Sequence, residues 1–253
     1  MTIRVSIVTV NYNSTSLINA TEAILSQLDF VEFIVVDNSG DFIPFSNFTK
    51  VINSGSNLGF GKACNIGVIN AKHDLILFLN PDCTISQDNL ILLLSKNVNH
   101  HECIWAPLIQ DSYGVSSTLI KTSYPFLVFR RIKLLNSFFI NNEYDSVYVS
   151  GACFMMSKQL FKRVDGFSED IFLYAEDLDL SLKASVNGVS LKIFNDVEVF
   201  HNSGTSDSSS VNIISKFKRL KRSYDGHYLF FRKFCNPLIS FINALYLASG
   251  VKF

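Results

Sequence analysis

Residues 77–83 read LFLNPDC, and this is the most informative stretch of the chain because an apolar run stops abruptly in polar residues. Residues 75–79 predict a buried strand, and Asn80, Pro81 and Asp82 follow it directly. Oxygen-bearing side chains at the end of a buried strand suit a hard divalent cation that also holds a diphosphate. Asn-Pro-Asp is also typical of an ordinary turn, so this interpretation needs support from the rest of the chain.

Strands and helices alternate around this stretch. Further buried strands are predicted at 3–10, 33–36 and 51–52, and helices at 16–28, 63–71 and 87–98. Such alternation favours right-handed crossovers and an α/β fold with a mostly parallel, Rossmann-like central sheet, flanking helices and ligands at the carboxyl edge. After a less regular region at 104–142, we expect a strand at 147–156, a helix at 178–186, closing strands at 190–194 and 197–200, and a flexible loop at 203–210.

Composition indicates a globular chain with an uneven charge distribution. The 253 residues are 48% hydrophobic and 17% charged, enough for one large α/β domain. Residues 211–253 carry eight Lys or Arg and one acid, Asp225, interleaved with Phe, Tyr and Leu. We therefore expect a domain at 1–210 and a basic amphipathic helical segment at 211–253 that lies on an anionic membrane surface. The alternative is a basic helix that packs its aromatic residues on the body; nucleic acid is not favoured, because no nucleic-acid motif accompanies the charge.

Cysteine usage and hydropathy favour a cytoplasmic protein. The five cysteines are scattered and form no CxxC pair, which argues against a disulfide framework or structural zinc. The sequence begins with a strand-like run, and we expect no signal peptide. It contains no stretch of 18 or more apolar residues, so we expect no membrane-spanning helix.

Polar residues after the first two strands suggest a nucleoside site. Asp37 ends the second strand, and its carboxylate can accept the imide N–H of uracil or thymine, with Asn11 and Asn13 in reach of the same nucleoside. A turn formed by Asp-Asn-Ser-Gly is the alternative. The first loop lacks G-x-G-x-x-G, which argues against a dehydrogenase-type dinucleotide fold. Residues 57–67, NLGFGKACNIG, place Asn57 and Gly59 near a helix start, where backbone N–H groups suit an anionic or hydroxyl-rich ligand.

A second acidic cluster, AEDLDL at 175–180, opens a predicted helix. Acids there often cap N–H groups, but Glu176, Asp177 and Asp179 exceed what capping needs. One of them is a candidate general base for an acceptor hydroxyl. His201, at the end of a predicted strand, is a candidate to complete a metal shell with Asp82 and Asn80, although a lone histidine is more often structural.

Taken together, the motifs resemble family 2 glycosyltransferases of the GT-A fold over about residues 3–205. The matching segments are VTVNYNS, VVDNSG, NLGFGKACNIG, LFLNPD, the block at 149–188 and the histidine of FHNSGTS. The block at 149–188 most resembles bacterial rhamnosyltransferases of cell-surface polysaccharide assembly, including the O-antigen type.

The resemblance implies an inverting transfer from a nucleotide-sugar, dTDP-L-rhamnose, with Mg²⁺ or Mn²⁺ as cofactor. It gives Asp177 the role of catalytic base, with Glu176 beside it and Asp179 bracing the helix start. Asp37 would hold the pyrimidine, His201 would contact metal or diphosphate, and Gly151 and Ala152 would lie near the donor sugar. Asn80 and Asp82 replace the usual D-x-D pair, so the metal site has one fewer negative charge.

The resemblance also implies a partner and leaves alternatives open. A polyprenyl-diphosphate-linked saccharide acceptor would explain the basic segment, which would hold the protein at the inner face of the cell membrane. The same fold could instead use UDP-galactofuranose, UDP-glucose or UDP-N-acetylglucosamine, and a non-catalytic nucleotide-binding subunit is the alternative of another class. A nucleotidyltransferase is disfavoured because NYNSTS lacks the basic residues expected after its first strand. The sequence does not indicate an oligomeric state.

Overall fold

A computed structural model describes residues 3–96, 102–110, 145–146, 148–202 and 213–249. The predicted irregular region beyond residue 110 and the predicted loop at 203–210 lie outside these ranges. The strands are β1 (Val5–Asn11), β2 (Val31–Asp37), β3 (Thr49–Asn53), β4 (Leu75–Leu79), β5 (Cys83–Thr84), β6 (Cys103–Gln110), β7 (Asp145–Ser146), β8 (Cys153–Ser157) and β9 (Ser190–His201). The helices are α1 (Thr15–Leu25), α2 (Phe60–Asn70), α3 (Gln87–Ser95), α4 (Lys158–Arg163), α5 (Glu176–Val186), α6 (Ile213–Arg232) and α7 (Pro237–Ser249).

The first half of the sheet is parallel, as predicted. Strands run in the order β3-β2-β1-β4, and all three pairings are parallel. Residues of β1, β2 and β4 are buried along their whole length, which explains their near-continuous apolar sequences. The register aligns Asn11 with Asp37, so the polar ends of β1 and β2 meet at the carboxyl edge.

The second half makes the sheet mixed, so the predicted parallel arrangement holds for β3-β2-β1-β4 and for β6 with β9 but not for the other pairings. Strand β8 runs antiparallel to β4, pairing Leu77 with Met155, and β6 runs antiparallel to β8. Strand β9 is parallel to β6 and antiparallel to β5 and β7. Antiparallel neighbours need no helical crossover, so the alternation of strands and helices before residue 95 carried no information about this half.

Several elements differ from the sequence expectation, among them the short strands β5 and β7, which were not predicted. Strand β6 lies in the region that the sequence presents as irregular, and α4 was not predicted. Strand β9 is one continuous strand where two were expected. A register shift on β6 between Pro107 and Leu108 interrupts the β6–β9 pairing from Asn195 to Val197, where the sequence predicted the break. Proline has no N–H to donate to a ladder, which accounts for the irregularity at this point.

Apolar side chains form one core on each face of the sheet. One face buries Ile7, Phe33, Leu77 and Trp105 together with α1 and α3 residues. The other buries Val8, Ile34, Phe78 and Phe154 with residues of α2, α4 and α5. Successive residues alternate between these cores, which is the period-two pattern of a sheet covered on both faces.

The C-terminal helices pack on the body through a third apolar cluster. Phe230 and Phe231 of α6 are fully buried and pack with Ile171 and with Leu178 and Leu182 of α5. The docking alternative is therefore observed for these two aromatic residues. Other apolar residues of the same helices stay exposed, namely Phe217, Leu220, Leu238, Phe241, Ile242 and Leu245. Within the described ranges, none of the helices has the length and apolar character needed to cross a bilayer.

Candidate functional site

A cavity of about 360 Å³ lies where β4 ends and α5 begins. Six predicted site residues line it: Asn80, Gly151, Ala152, Glu176, Asp177 and His201. Residues from six other places complete the wall: Phe60, Tyr148, Ser150, the segment Leu173–Ala175 with Leu178, His227 of α6 and Leu247 of α7. Asn80 after β4 and the acids Glu176 and Asp177 of α5, about a hundred residues apart in sequence, thus meet at one cavity, while Asp82 is not among the residues that line it.

The metal-binding candidates meet on the β5–β9 side of this cavity. Pairing of Cys83 with His201 brings the His201 Nε2 atom to 3.2 Å from Asp82 Oδ1. The Oδ1 atoms of Asn80 and Asp82 are buried, and no well-aligned hydrogen bond reaches either atom from any described group. Candidate ligand atoms of Asp82, Cys83 and His201 lie within 4.8 Å of one another.

This donor set fits Mg²⁺ or Mn²⁺. A buried amide oxygen of Asn80, a carboxylate oxygen of Asp82 and the imidazole nitrogen of His201 suit hard or borderline divalent ions. Burial raises the pKa of the Cys83 thiol well above its ordinary value, which disfavours the thiolate form that binds metals, and hard ions prefer the oxygen ligands beside it.

Three hydrogen bonds hold the Asp177 carboxylate in place. Its Oδ2 accepts from the Tyr148 hydroxyl at 2.5 Å and from the Gly151 backbone N–H at 2.9 Å. Its Oδ1 accepts from the Leu178 N–H at 2.8 Å. A carboxylate has about four lone-pair positions, so one remains for a proton. The arrangement suits an oriented base at the cavity wall.

Glu176, beside Asp177, has a different electrostatic character. It is 6% exposed, and no described group donates a hydrogen bond to its Oε2. Burial, and then the negative charge of Asp177, raise the pKa of Glu176 to about 8. Glu176 is therefore protonated at neutral pH, while Asp177 is the carboxylate with oriented donors.

A strained loop positions these two acids. Tyr174 and Ala175 have φ of +66° and +67°, a region that L residues seldom adopt, and Ala175 is the N-cap of α5. The Phe60 N–H donates to the Phe172 carbonyl, and a Cβ on Gly59 would stand 2.1 Å from that oxygen. Gly59 was predicted to face a ligand. In the structure, its close packing against the Phe172 carbonyl explains why this position has no side chain.

Asp179 ties α5 to the C-terminal helices. Its side chain is 2% exposed and accepts from the Ser168 hydroxyl at 2.5 Å and from the Lys233 ammonium at 2.7 Å. Lys183 lies 3.6 Å away on the same helix. Asp179 therefore makes contacts across the fold as well as along the helix, and the bracing role expected of it stays a prediction.

The predicted nucleoside residues form a separate network at the ends of β1 and β2. Asp37 Oδ1 accepts from the Asn11 side chain at 2.9 Å and from the Ser39 and Gly40 N–H groups, while Oδ2 accepts from the Phe42 N–H. Burial alone raises the pKa of Asp37, but these hydrogen bonds outweigh it and lower that pKa below the ordinary value. The turn-forming alternative is observed, and the pyrimidine-binding role stays a prediction.

Asn13 and Asn57 border the same network. Asn13 is exposed with φ of +57°, and its N–H donates to the Ser39 hydroxyl. Asn57 accepts from the Gly59 N–H at 3.0 Å. Asn38 links the two loops, because its side chain donates to the Gly59 carbonyl and its N–H to the Asn11 carbonyl. Asn38 belongs to the motif VVDNSG but was not among the predicted site residues.

Several residues that line the cavity or support its acids were not predicted from the sequence. Tyr148 contacts Asp177 across 29 residues, and Lys233 contacts Asp179 across 54. His227 and Leu247 come from the segment predicted to lie on a membrane. None of these residues sits in a local motif, so only the tertiary fold reveals them.

Comparison with known proteins assigns the family. Residues 6–165 match the family described as glycosyl transferase family 2, which is more than half of the chain. The chain belongs to glycosyl transferase family 2. The match includes β1, β2, β4 and the metal-binding candidates Asn80 and Asp82, and it ends before the acids of α5.

Two curated relatives are similar to this family 2 chain. A low-salt glycan biosynthesis hexosyltransferase of Haloferax volcanii is 27% identical over 78% of this chain and 66% of its own length. Rhamnosyltransferase WbbL of Escherichia coli is 30% identical over 58% of this chain and 61% of its own length. The chain thus spans less than two thirds of the length of these relatives.

Solved structures share the fold. Residues 1–349 of S. aureus TarS, in complex with UDP-GlcNAc, superpose with a TM-score of 0.58 at 18% identity, covering 97% of this chain and 73% of that TarS chain. The mannosyltransferase PcManGT from Pyrobaculum calidifontis, in complex with GDP-Man and Mn²⁺, gives 0.59 at 15% identity, covering 97% and 68%. The likeness shows a mixed α/β sheet of the GT-A type.

Proposed function

We propose that this chain is an inverting glycosyltransferase that moves L-rhamnose from dTDP-L-rhamnose to a saccharide on polyprenyl diphosphate, in synthesis of a bacterial surface polysaccharide. One observation carries the proposal: the oriented Asp177 carboxylate lines the same cavity as Asn80 and His201. A base and a group that binds cation and diphosphate can therefore act on one donor sugar.

The proposed reaction is a single displacement. The Asp177 carboxylate takes the proton of the acceptor hydroxyl as that oxygen forms a bond to C1 of the sugar. The bond from C1 to the diphosphate breaks on the opposite face, and dTDP leaves with the electron pair. Mg²⁺ or Mn²⁺, held by Asp82, Asn80 and His201, would supply positive charge against the leaving diphosphate.

The structure of the site supports a role for each neighbour. Tyr148 and Gly151 fix the direction of the Asp177 carboxylate through Oδ2. A Cβ on Gly151 would lie 3.4 Å from Asp177, so a larger side chain would narrow the cavity where we place the sugar. Protonated Glu176 avoids a second negative charge next to the base. Asp37, Asn11, Asn13 and Asn57 would bind the nucleoside at the ends of β1 and β2.

We also propose an attachment to the inner face of the cell membrane through residues 211–253. The exposed apolar side chains of α6 and α7 accompany exposed Lys216, Lys218, Arg219, Lys221 and Arg222. Aromatic and aliphatic residues beside basic ones suit the interface of an anionic bilayer. Because α6 and α7 also line the cavity, we propose that they act together with the domain at 1–210 and not as a detached anchor.

The test is a donor panel with product mass as the readout. The full chain is incubated with dTDP-L-rhamnose, UDP-galactofuranose, UDP-glucose or UDP-N-acetylglucosamine, and with decyl-diphosphate-linked saccharides, with and without Mg²⁺. We expect a deoxyhexose added from dTDP-L-rhamnose. Turnover with a UDP-sugar alone would replace the donor, and absence of transfer and of donor hydrolysis with every nucleotide-sugar would reject the enzyme.

A further inference from the structure

His227 of α6 lines the cavity, and neither the sequence motifs nor the proposed reaction use it. Asp177 lines the same cavity, so the two side chains share one wall of the proposed active site. The helix is held at this point by Gly226, whose close contact with the Tyr174 carbonyl leaves no room for a side chain. His227 is therefore carried to the cavity by a well-packed part of the C-terminal helix.

The hydrogen bond of the ring fixes its tautomer. Nδ1 lies 2.7 Å from the backbone carbonyl oxygen of Ser223, which can only accept, so Nδ1 carries the hydrogen. In the neutral ring Nε2 is then an acceptor. Among the described residues, no group donates a hydrogen bond to this Nε2. One oriented acceptor atom remains at the cavity.

The ring is neutral at physiological pH. Burial lowers the pKa of His227 below its ordinary value, although the Ser223 carbonyl and the charge of Asp177 oppose that effect. A neutral acceptor nitrogen has no attraction for a diphosphate, whose oxygens have no hydrogens to donate at this pH. It matches a hydroxyl group, the donor that a saccharide presents in number.

We propose that His227 is an acceptor-binding residue whose Nε2 accepts a hydrogen bond from a hydroxyl of the acceptor saccharide and so holds the attacking oxygen near Asp177. This inference rests on the proposed function. It assigns the hydroxyl to the acceptor because His227 and Leu247 come from α6 and α7, the helices that carry the exposed apolar and basic surface. A saccharide on a membrane lipid would reach the cavity along these helices.

The experiment compares His227→Phe and His227→Gln in the full chain. The acceptor is whichever of decyl-diphosphate-linked N-acetylglucosamine, glucose and galactose the wild type glycosylates. For His227→Phe we expect the acceptor KM to rise about tenfold, the effect of one lost hydrogen bond, with donor KM and donor hydrolysis by water kept within about twofold. Glutamine places an acceptor oxygen near the position of Nε2, so His227→Gln is expected to recover most of the acceptor affinity.

Two further variants keep the outcome clear. His227→Asn places its carboxamide nearer to Nδ1 than to Nε2, so it is expected to bind acceptor as poorly as the phenylalanine variant, and it replaces that variant if phenylalanine prevents folding. His73→Gln changes a histidine that lines a separate pocket and serves as the matched control. An unchanged acceptor KM in His227→Phe and His227→Asn would overturn the inference, as would equal changes in donor KM and hydrolysis. Absence of all transfer and hydrolysis by the wild type would reject the proposed function, and the inference with it.

Discussion

Gly226 of α6 lies against the backbone of Tyr174. A Cβ on this glycine would stand 2.2 Å from the Tyr174 carbonyl oxygen and 2.5 Å from that of Leu173. Tyr174 has φ of +66° and precedes the N-cap of α5, the helix that carries Glu176 and Asp177. The C-terminal helix therefore supports the loop that orients the proposed base.

Gly226→Ala tests this contact by the sign of its effect. In an exposed helix interior, alanine in place of glycine stabilises by about 0.5–1 kcal/mol. Here the added methyl must displace α6 or the loop, and such overpacking costs about 1–3 kcal/mol. We expect a lower Tm by thermal unfolding and a larger loss of transfer than of donor binding. An increased Tm with full transfer would show that α6 does not support the loop.

Asp177→Asn removes the proposed base while keeping its shape. Loss of a general base lowers the rate by about 10²- to 10⁴-fold, so we expect transfer to fall by that amount while calorimetry finds the Kd for the donor little changed. Asp88→Asn, in the exposed first turn of α3, is the matched control and should keep full activity. Retained biological function in Asp177→Asn would favour the non-catalytic nucleotide-binding subunit instead.

Glu176 predicts a pH dependence of stability. Its pKa is near 4.5 when unperturbed and about 8 in the folded protein, so between these values the folded state keeps a proton that the unfolded state releases. The contribution of this proton to the free energy of unfolding is complete below pH 4.5 and is lost as the pH rises towards 8. For a single group the slope reaches about 1.4 kcal/mol per pH unit.

Glu176→Gln isolates this effect. Because glutamine does not titrate, the variant should gain stability relative to the wild type as the pH rises from 5 to about 8, measured by urea unfolding across that range. Glu198→Gln alters an exposed acid of β9 and should follow the wild type. Parallel curves for wild type and Glu176→Gln would contradict a protonated Glu176.

The parallel half of the sheet and its polar edge could be predicted from sequence because the signals are local. Buried runs such as residues 75–79 and the polar residues directly after them lie within one short segment, and parallel strands bring such ends together. The acids of α5 were placed at a helix start for the same reason.

The antiparallel part of the sheet and the contribution of the C-terminal helices to the cavity depend on tertiary contacts, which no local sequence pattern indicates. Strand β8 pairs antiparallel with β4. The sequence of β8 predicts a buried strand, but it indicates neither the strand that β8 pairs with nor the direction of that pairing. His227 lies fifty residues from Asp177 in a segment whose basic and aromatic character predicted a membrane surface. In this C-terminal segment some apolar residues are buried, such as Phe231, and others are exposed, such as Phe217. Composition alone does not distinguish the two groups.

Substitutions of Asp82 and Asn80 test the proposed metal site through the affinity of the protein for Mn²⁺. Asp82→Asn removes the one carboxylate of the proposed set, and we expect Mn²⁺ affinity in the presence of dTDP to weaken by about tenfold or more, since outer-shell changes alone cost about 10- to 100-fold. Asn80→Asp adds the second carboxylate of a D-x-D pair and should tighten binding. Calorimetric titration measures both.

Cys83→Ser is the control for the metal site. Cys83 lies within 4.8 Å of the candidate ligands, but burial disfavours its thiolate form, so Mn²⁺ affinity should not change. Equal Mn²⁺ affinities for wild type, Asp82→Asn and Asn80→Asp would remove these residues from the metal site.

Charge reversal on α6 tests membrane attachment better than truncation. Removing residues after about 210 would also remove Phe230 and Phe231, which pack against α5, so loss of binding could follow from misfolding. Arg219→Glu with Arg222→Glu changes only exposed positions. Each basic residue near an anionic surface contributes about 1 kcal/mol, so we expect vesicles containing anionic lipid to bind the double variant at least about tenfold more weakly in co-sedimentation.

A matched pair and a salt series complete this test. Lys50→Glu with Lys162→Glu reverses the same number of exposed charges on the body and should leave vesicle binding nearly unchanged. Binding of the wild type should weaken as ionic strength rises from 0.1 M to 1 M, because the Debye length falls from about 10 Å to about 3 Å. The attachment proposed for α6 and α7 fails if both pairs of reversals weaken binding equally, since the attraction would then come from overall charge and not from this helix.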